Sequence, residues 1–147
     1  MTLHTFPDVI QGSDEWLDQR RGIVTASVVG QLVTPKTLKI AANDKSRSIV
    51  AQLVAERITG YTEPAYVSDD MLRGATEELR ARDLYAEFYK RPVREVGFLL
   101  RQEETWQLGY SPDGLVEGEG LIEVKAPRAK GHLSTILADE VPAEHMA

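Results

Sequence analysis

Ser111–Pro127 reads SPDGLVEGEGLIEVKAP, a stretch that folds back on itself and gathers its charges at the open end. Ser111-Pro112-Asp113-Gly114 is a turn signal set beside a carboxylate. Leu115-Val116 is a short apolar run, and Glu117 to Gly120 is a polar turn with two glycines. Leu121 to Lys125 alternates as a strand does. A hairpin over this stretch brings Asp113 near Glu123. A period of two puts Glu123 and Lys125 on one face, with Ile122 and Val124 on the other. Any one of these charges alone reads as part of a solvated hairpin. The spacing of all three points to a site. Two carboxylates and an ammonium suit metal-assisted hydrolysis of a phosphodiester. Mg²⁺ takes hard oxygen ligands, usually one or two carboxylates with waters and phosphate. The metal polarises the phosphoryl oxygen and lowers the pKa of its water. A neighbouring lysine orients or deprotonates that water, or offsets charge on the phosphate.

The rest of the composition narrows the setting. The 147 residues are enough for one domain with a real core. No apolar run is long enough to span a membrane, and MTLHTFPDVIQG lacks the basic-then-apolar order of a signal peptide. There is no cysteine, so disulfides, thiolate metal sites and cysteine nucleophiles are excluded. These features point to the cytoplasm. The formal net charge of −6 argues against a protein that coats nucleic acid through bulk positive charge. It does not exclude a nuclease, because acids at a metal site need the cation before DNA approaches. The charge is also divided locally: Asp113 to Glu123 carries four acids and no base, and Val124 to Gly131 carries Lys125, Arg128 and Lys130 and no acid.

Along the chain, residues 1–10 read as an irregular lead-in broken by Pro7. Ser13 caps a first helix with Asp14 and Glu15 in its first turn, Trp16 and Leu17 turned inward, and an end at Arg20-Arg21-Gly22. Thr25 is the expected cap of a second helix reaching Leu32. Two arginines before a capped helix start can form a phosphate site. Physics alone favours the plainer alternative, a surface helix–turn–helix with solvated arginines. Thr34 to Asn43 is a loop, and its Lys36 and Lys39 read as solvated. Asp44 to Thr59 is a helix with Ile49, Leu53, Val54 and Ile58 at helical spacing, ended by Gly60. After the Tyr61–Val67 loop, Ser68 caps the longest helix, which runs to about Tyr89. Met71, Ala75, Glu78, Arg82, Tyr85 and Tyr89 lie along one stripe of it. Glu78 is either one half of an i,i+4 pair with Arg82, worth a few tenths of a kcal/mol, or a carboxylate turned to a site. Val93 to Leu100 and Thr105 to Leu108 read as strands, with Trp106 as core or sheet packing. Gly131 to Ala138 is a short helix, His132 a surface residue rather than a metal ligand, and Asp139 to Ala147 a tail without a clear element.

Pro112-Asp113, nine residues, then Glu123-Val124-Lys125 resemble the PD-(D/E)XK nuclease signature. The longer string SPDGLV…GLIEVKAP resembles the lambda exonuclease, or YqaJ-type viral recombinase, family. Two other segments resemble it in the same order: QGSDEWLDQRRGIVTAS and RGATEELRARDLY. The resemblance runs from about Gln11 to the end. It implies an α/β fold with a PD-(D/E)XK restriction-endonuclease-like core, a small mixed sheet flanked by helices. The absence of cysteine excludes the cysteine-ligated iron–sulfur nucleases that share that core. The implied activity is Mg²⁺-dependent 5′-to-3′ exonuclease action at a double-stranded DNA end, with Mn²⁺ as a substitute metal. Asp113, Glu123 and the Val124 carbonyl would bind metal, Lys125 would activate water, and Glu78 would be a third acid. Arg20, Ser27 and Ser111 would hold the DNA 5′-phosphate. The implied partners are a single-strand annealing protein and further copies in a homotrimer, with no membrane, for a phage or prophage protein in a bacterial host. The family continues into another strand and helix carrying a glutamine, so residues 1–147 are expected to be a single nuclease domain lacking that C-terminal pair. The alternatives are an endonuclease on the same core, an inactive relative that binds DNA ends or a partner protein, and a structural subunit with no DNA role.

Overall fold

A computed structural model describes residues 2–34, 36–64, 66–118 and 120–145. Its strands form two sheets. Strands β1 (Thr2–Phe6), β2 (Val24–Thr25), β4 (Phe98–Gln102) and β5 (Gln107–Tyr110) make a mixed sheet in the order β1-β4-β5-β2. Among the described residues, only the β2–β5 pairing is parallel. Strands β3 (Val93–Arg94), β6 (Gly114–Val116) and β7 (Gly120–Ile122) make an antiparallel sheet in the order β3-β6-β7. Helices α1 (Asp14–Arg20), α2 (Ala26–Leu32), α3 (Asp44–Thr59), α4 (Asp69–Tyr89) and α5 (Ala129–Ala138) complete the α/β arrangement.

The helix starts follow their caps. The Ser13 hydroxyl accepts from the Trp16 N–H at 3.2 Å, and Ser68 does the same for Met71 at 3.3 Å. Asn43 and Ser46 exchange hydrogen bonds in a capping box that begins α3. The core is small: Val96, Phe98 and Pro112 are fully buried, and Val9, Ala41 and Val116 are nearly so. Gly97 is required there, because a Cβ on it would lie 1.7 Å from the Val9 carbonyl oxygen.

Several expectations are corrected. The lead-in contains an edge strand, since β1 pairs with β4 from Thr2↔Gln102 to Phe6↔Phe98. Val93 to Leu100 is not one strand. It divides at residues 95–97, and its halves join different sheets. The following strand is Gln107–Tyr110, two residues later than expected, and β7 stops at Ile122, before Glu123 and Lys125. Thr25 stands at the α2 cap position but makes no side-chain cap bond. On α3, Val54 and Ile58 are exposed, and the face turned inward carries Ser46, Ile49, Leu53 and Glu56. Met71 and Tyr89 on α4 are exposed as well. Trp106 is 48% exposed and stands 5.2 Å from the Arg101 guanidinium, so it is not core. Helix α5 begins at Ala129, and the tail holds a short 3₁₀ turn over Ala143–His145. Met146, at the end of the segment compared with the family, lies outside the described residues.

Candidate functional site

The β6–β7 hairpin sets the register of the site. Gly114 stands opposite Ile122, so the residues just outside the ladder, Asp113 and Glu123, face each other at its open end. The Asp113 carboxylate accepts the Val124 N–H at 2.5 Å. The Glu123 carboxylate is held from two sides: Lys125 Nζ donates to Oε1 at 2.5 Å and the Tyr110 hydroxyl donates to Oε2 at 2.8 Å. Ile122 and Val124 are partly covered while Glu123 and Lys125 are exposed, as a period of two requires.

Helix α4 reaches this point through Arg82, which is buried. Its guanidinium donates to the Asp113 carbonyl at 2.8 Å and contacts Glu78 and Glu95, each at 3.3 Å. The Glu78–Arg82 pair therefore exists, and the same pair docks Glu78 beside the hairpin. Burial pushes the Glu78 carboxyl above its ordinary range, and the Asp113 charge adds to that. Burial also raises Asp113, with Glu123 adding to it and the Val124 N–H opposing. The Tyr110 hydroxyl is pushed up by burial and by its bond to Glu123.

These mutually repelling carboxylates are a donor set that a divalent cation would relieve. Among the described residues no three His, Cys, Asp or Glu side chains form a ready cation cage. Mg²⁺ does not need one, because it keeps several waters and uses one or two carboxylates. Asp113, Glu123 and the Val124 carbonyl fit that pattern.

The expected phosphate-side residues lie in the same place. Arg20 Nη2 lies 3.3 Å from the Ser27 hydroxyl and 3.4 Å from that of Thr25, and those two hydroxyls are 2.9 Å apart. The Arg20 guanidinium covers the Trp16 ring at 4.0 Å, and the Trp16 Nε1–H donates to Ser111 Oγ at 2.8 Å. Burial lowers the Arg20 pKa, and the Glu56 charge works against that. Arg20, Ser27, Ser111, Tyr110, Glu123 and Lys125 line one cleft of about 750 Å³. Arg21 turns away, to Asp18 and Thr62. His132 does not line this cleft, and His145 does.

Helix α3 fixes the turn that aims Arg20. Buried Glu56 accepts the Gly22 N–H at 2.7 Å, and Arg57 Nε donates to the Gly22 carbonyl at 2.6 Å. Gly22 has φ +63°, and a Cβ on it would lie 2.3 Å from Arg57 Cγ. Sequence reasoning missed the roles of Tyr110, Thr25 and Glu56. Nothing local marks them, since each acts on a partner distant in the chain or in an unexpected direction. Trp16 was legible as an inward aromatic, though not as the link between Arg20 and Ser111.

Residues 15–147 match the YqaJ-like viral recombinase domain. The solved structure of an alkaline exonuclease (LHK-Exo) from Laribacter hongkongensis superposes with a TM-score of 0.71 and 33% identity, over 90% of this chain and 63% of that one. The structure of LHK-Exo in complex with dAMP gives a TM-score of 0.71 and 36% identity, over 91% of this chain and 64% of that one. The chain thus spans less than two thirds of the exonuclease chains it matches. A comparison with curated proteins gave no match. Among the described residues, no helix is long and apolar enough to cross a membrane. The mixed α/β fold, with its small sheet and flanking helices, is the PD-(D/E)XK-like fold of the exonuclease. On the sequence match and the superposition together, the chain belongs to the YqaJ-like viral recombinase domain family.

Proposed function

We propose that this chain is a Mg²⁺-dependent nuclease that hydrolyses one strand of duplex DNA from its 5′-phosphorylated end. One observation carries the reading: a single cleft holds both the Arg20–Ser27–Ser111 group and the Glu123–Lys125 pair. A cation and hydroxyls suit a terminal phosphate dianion. The Glu123 carboxylate with the adjacent Lys125 ammonium, backed by Asp113 at the same hairpin end, suits hydrolysis of the next phosphodiester. The two functions in one cavity describe an enzyme that measures from an end.

Bound Mg²⁺ supplies polarisation of the phosphoryl oxygen and a more acidic water. Asp113, Glu123 and the Val124 carbonyl would hold it. Arg82 fixes the Asp113 backbone, and Tyr110 holds one Glu123 oxygen in place. Lys125, paired with Glu123 at 2.5 Å, is set to orient the attacking water or to offset charge on the phosphate. Glu78, coupled to the Asp113 and Glu123 charges, would add negative charge to the cation's surroundings. Arg20, Ser27 and Ser111 hold the 5′-phosphate and so fix which bond is cut. The exposed strand left behind is the material for an annealing protein.

The test is a linear duplex with 5′-phosphates and different labels at its two ends, incubated with Mg²⁺ or EDTA beside Lys125→Ala and a closed circle. Loss from the 5′ end that needs Mg²⁺ and Lys125 and spares the circle is the expected result. Cutting of the circle moves the reading to an endonuclease. End binding by a folded protein without turnover moves it to a binding relative.

A further inference from the structure

We infer that the groove between α4 and residues 124–127 is a second DNA-contacting site, which takes the sugar–phosphate backbone of the strand that continues from the hydrolytic centre. This rests on the nuclease reading of the neighbouring cleft. The groove has a volume of about 380 Å³, and Arg73, Glu77, Arg80, Lys125, Ala126 and His132 line it. Lys125 lines the catalytic cleft as well, so the two cavities meet at that side chain. A strand leaving the cleft at Lys125 enters this groove.

The groove's lining holds more cations than carboxylates, within an acidic chain. Three cations, Arg73, Arg80 and Lys125, stand against the single carboxylate of Glu77, whereas the whole sequence carries −6. The cations differ in what they have left to offer. Arg73 is pinned, donating to the Ala126 carbonyl at 2.7 Å and lying 3.6 Å from Asp70. Asp70 is itself taken up by Arg128 at 2.7 Å. Lys125 is paired with Glu123. Arg80 makes no ion pair within 4 Å among the described residues, so its charge is available to a ligand. Positions 73, 77, 80 and 84 fall on one stripe of α4. Arg73 and Arg80 are about 10 Å apart along that axis, roughly three nucleotide steps of a B-form strand. Cations leading away from a phosphodiester centre suit the polyanion that the centre cuts.

Fluorescence anisotropy with a 5′-phosphorylated duplex and a 5′-hydroxyl duplex, in Ca²⁺ without Mg²⁺ and over a salt series, tests this on the full chain. Arg80→Ala should weaken binding of both duplexes about 3–10-fold and reduce the salt slope by about 0.9, one phosphate contact. The preference for the 5′-phosphate should be unchanged, because that is read in the other cavity. Glu77→Gln should tighten binding, a gain that no folding defect can mimic. Arg47→Ala, an exposed position on α3, should leave binding as it is. The inference is overturned if Arg80→Ala and Glu77→Gln bind with wild-type affinity and slope while the wild type cuts DNA. If the wild type binds without cutting and both variants shift as expected, the groove stands and the hydrolytic reading falls. A wild type that binds neither duplex overturns both.

Discussion

The indole N–H of Trp16 donates to the hydroxyl of Ser111 at 2.8 Å, across 95 residues of sequence. The face of the same ring lies 4.0 Å from the Arg20 guanidinium. One side chain therefore sets two of the three groups proposed to grip the terminal phosphate. Trp16→Phe keeps the ring and removes the hydrogen bond, so the rate preference for a 5′-phosphate over a 5′-hydroxyl end should fall about 2–10-fold, the worth of one neutral bond. Trp16→Ala should abolish most of that preference. Initial rates on the two substrates give the ratio directly.

Tyr110 is expected to act on the metal through Glu123. Its hydroxyl fixes Oε2 at 2.8 Å while Lys125 holds Oε1. Tyr110→Phe frees that oxygen to rotate. Loss of such a supporting contact typically costs 10–100-fold in metal affinity. Calorimetric titration with Mn²⁺ should show a drop of at least about 10-fold with the fold intact by circular dichroism. Unchanged affinity would remove Tyr110 from the site.

The site should cost stability in a pH-dependent way. Asp113 and Glu78 both have raised carboxyl pKa values, from ordinary values of 3.8 and 4.5. The folded chain thus holds these protons more tightly than the unfolded chain does. Their favourable contribution is complete below those ordinary values and is lost as pH rises through the raised ones. Asp113→Asn keeps an oxygen for the Val124 N–H and removes the charge. Its Tm should exceed that of the wild type by a few degrees at pH 8, and the gap should close towards pH 4. Mg²⁺ should raise the wild-type Tm and leave the variant unchanged. Thermal melts across pH, with and without metal, measure both effects.

Glu56 carries a structural prediction. It is buried, and its Oε2 is the acceptor for the Gly22 N–H. Glu56→Ala leaves that N–H without a partner and should destabilise by about 1–3 kcal/mol in urea unfolding. It should also weaken 5′-phosphate selectivity, because the turn it holds aims Arg20. Glu56→Gln keeps an acceptor and should cost less.

The sequence alone carried the helices and the hairpin, and with them much of the candidate site. Ser13, Asn43 and Ser68 mark helix starts because capping is local. Asp113, Glu123 and Lys125 could be gathered from spacing because a hairpin brings near neighbours together and a strand alternates. Edge strand β1 was not legible, since its partner β4 lies over ninety residues away and the exposed Thr2–Phe6 pattern shows no buried face. The division of Val93–Leu100 between two sheets was hidden for a related reason: one β-rich run does not state which ladder each half will join. Only the tertiary structure put Arg20 and Ser27 across a cleft from Glu123, suspended Arg20 on Trp16, and clamped Gly22 between Glu56 and Arg57. Contacts within one helix or hairpin are written in the spacing of their residues. Contacts between α1, α3 and the hairpin depend on how their faces pack, and no local spacing encodes that packing.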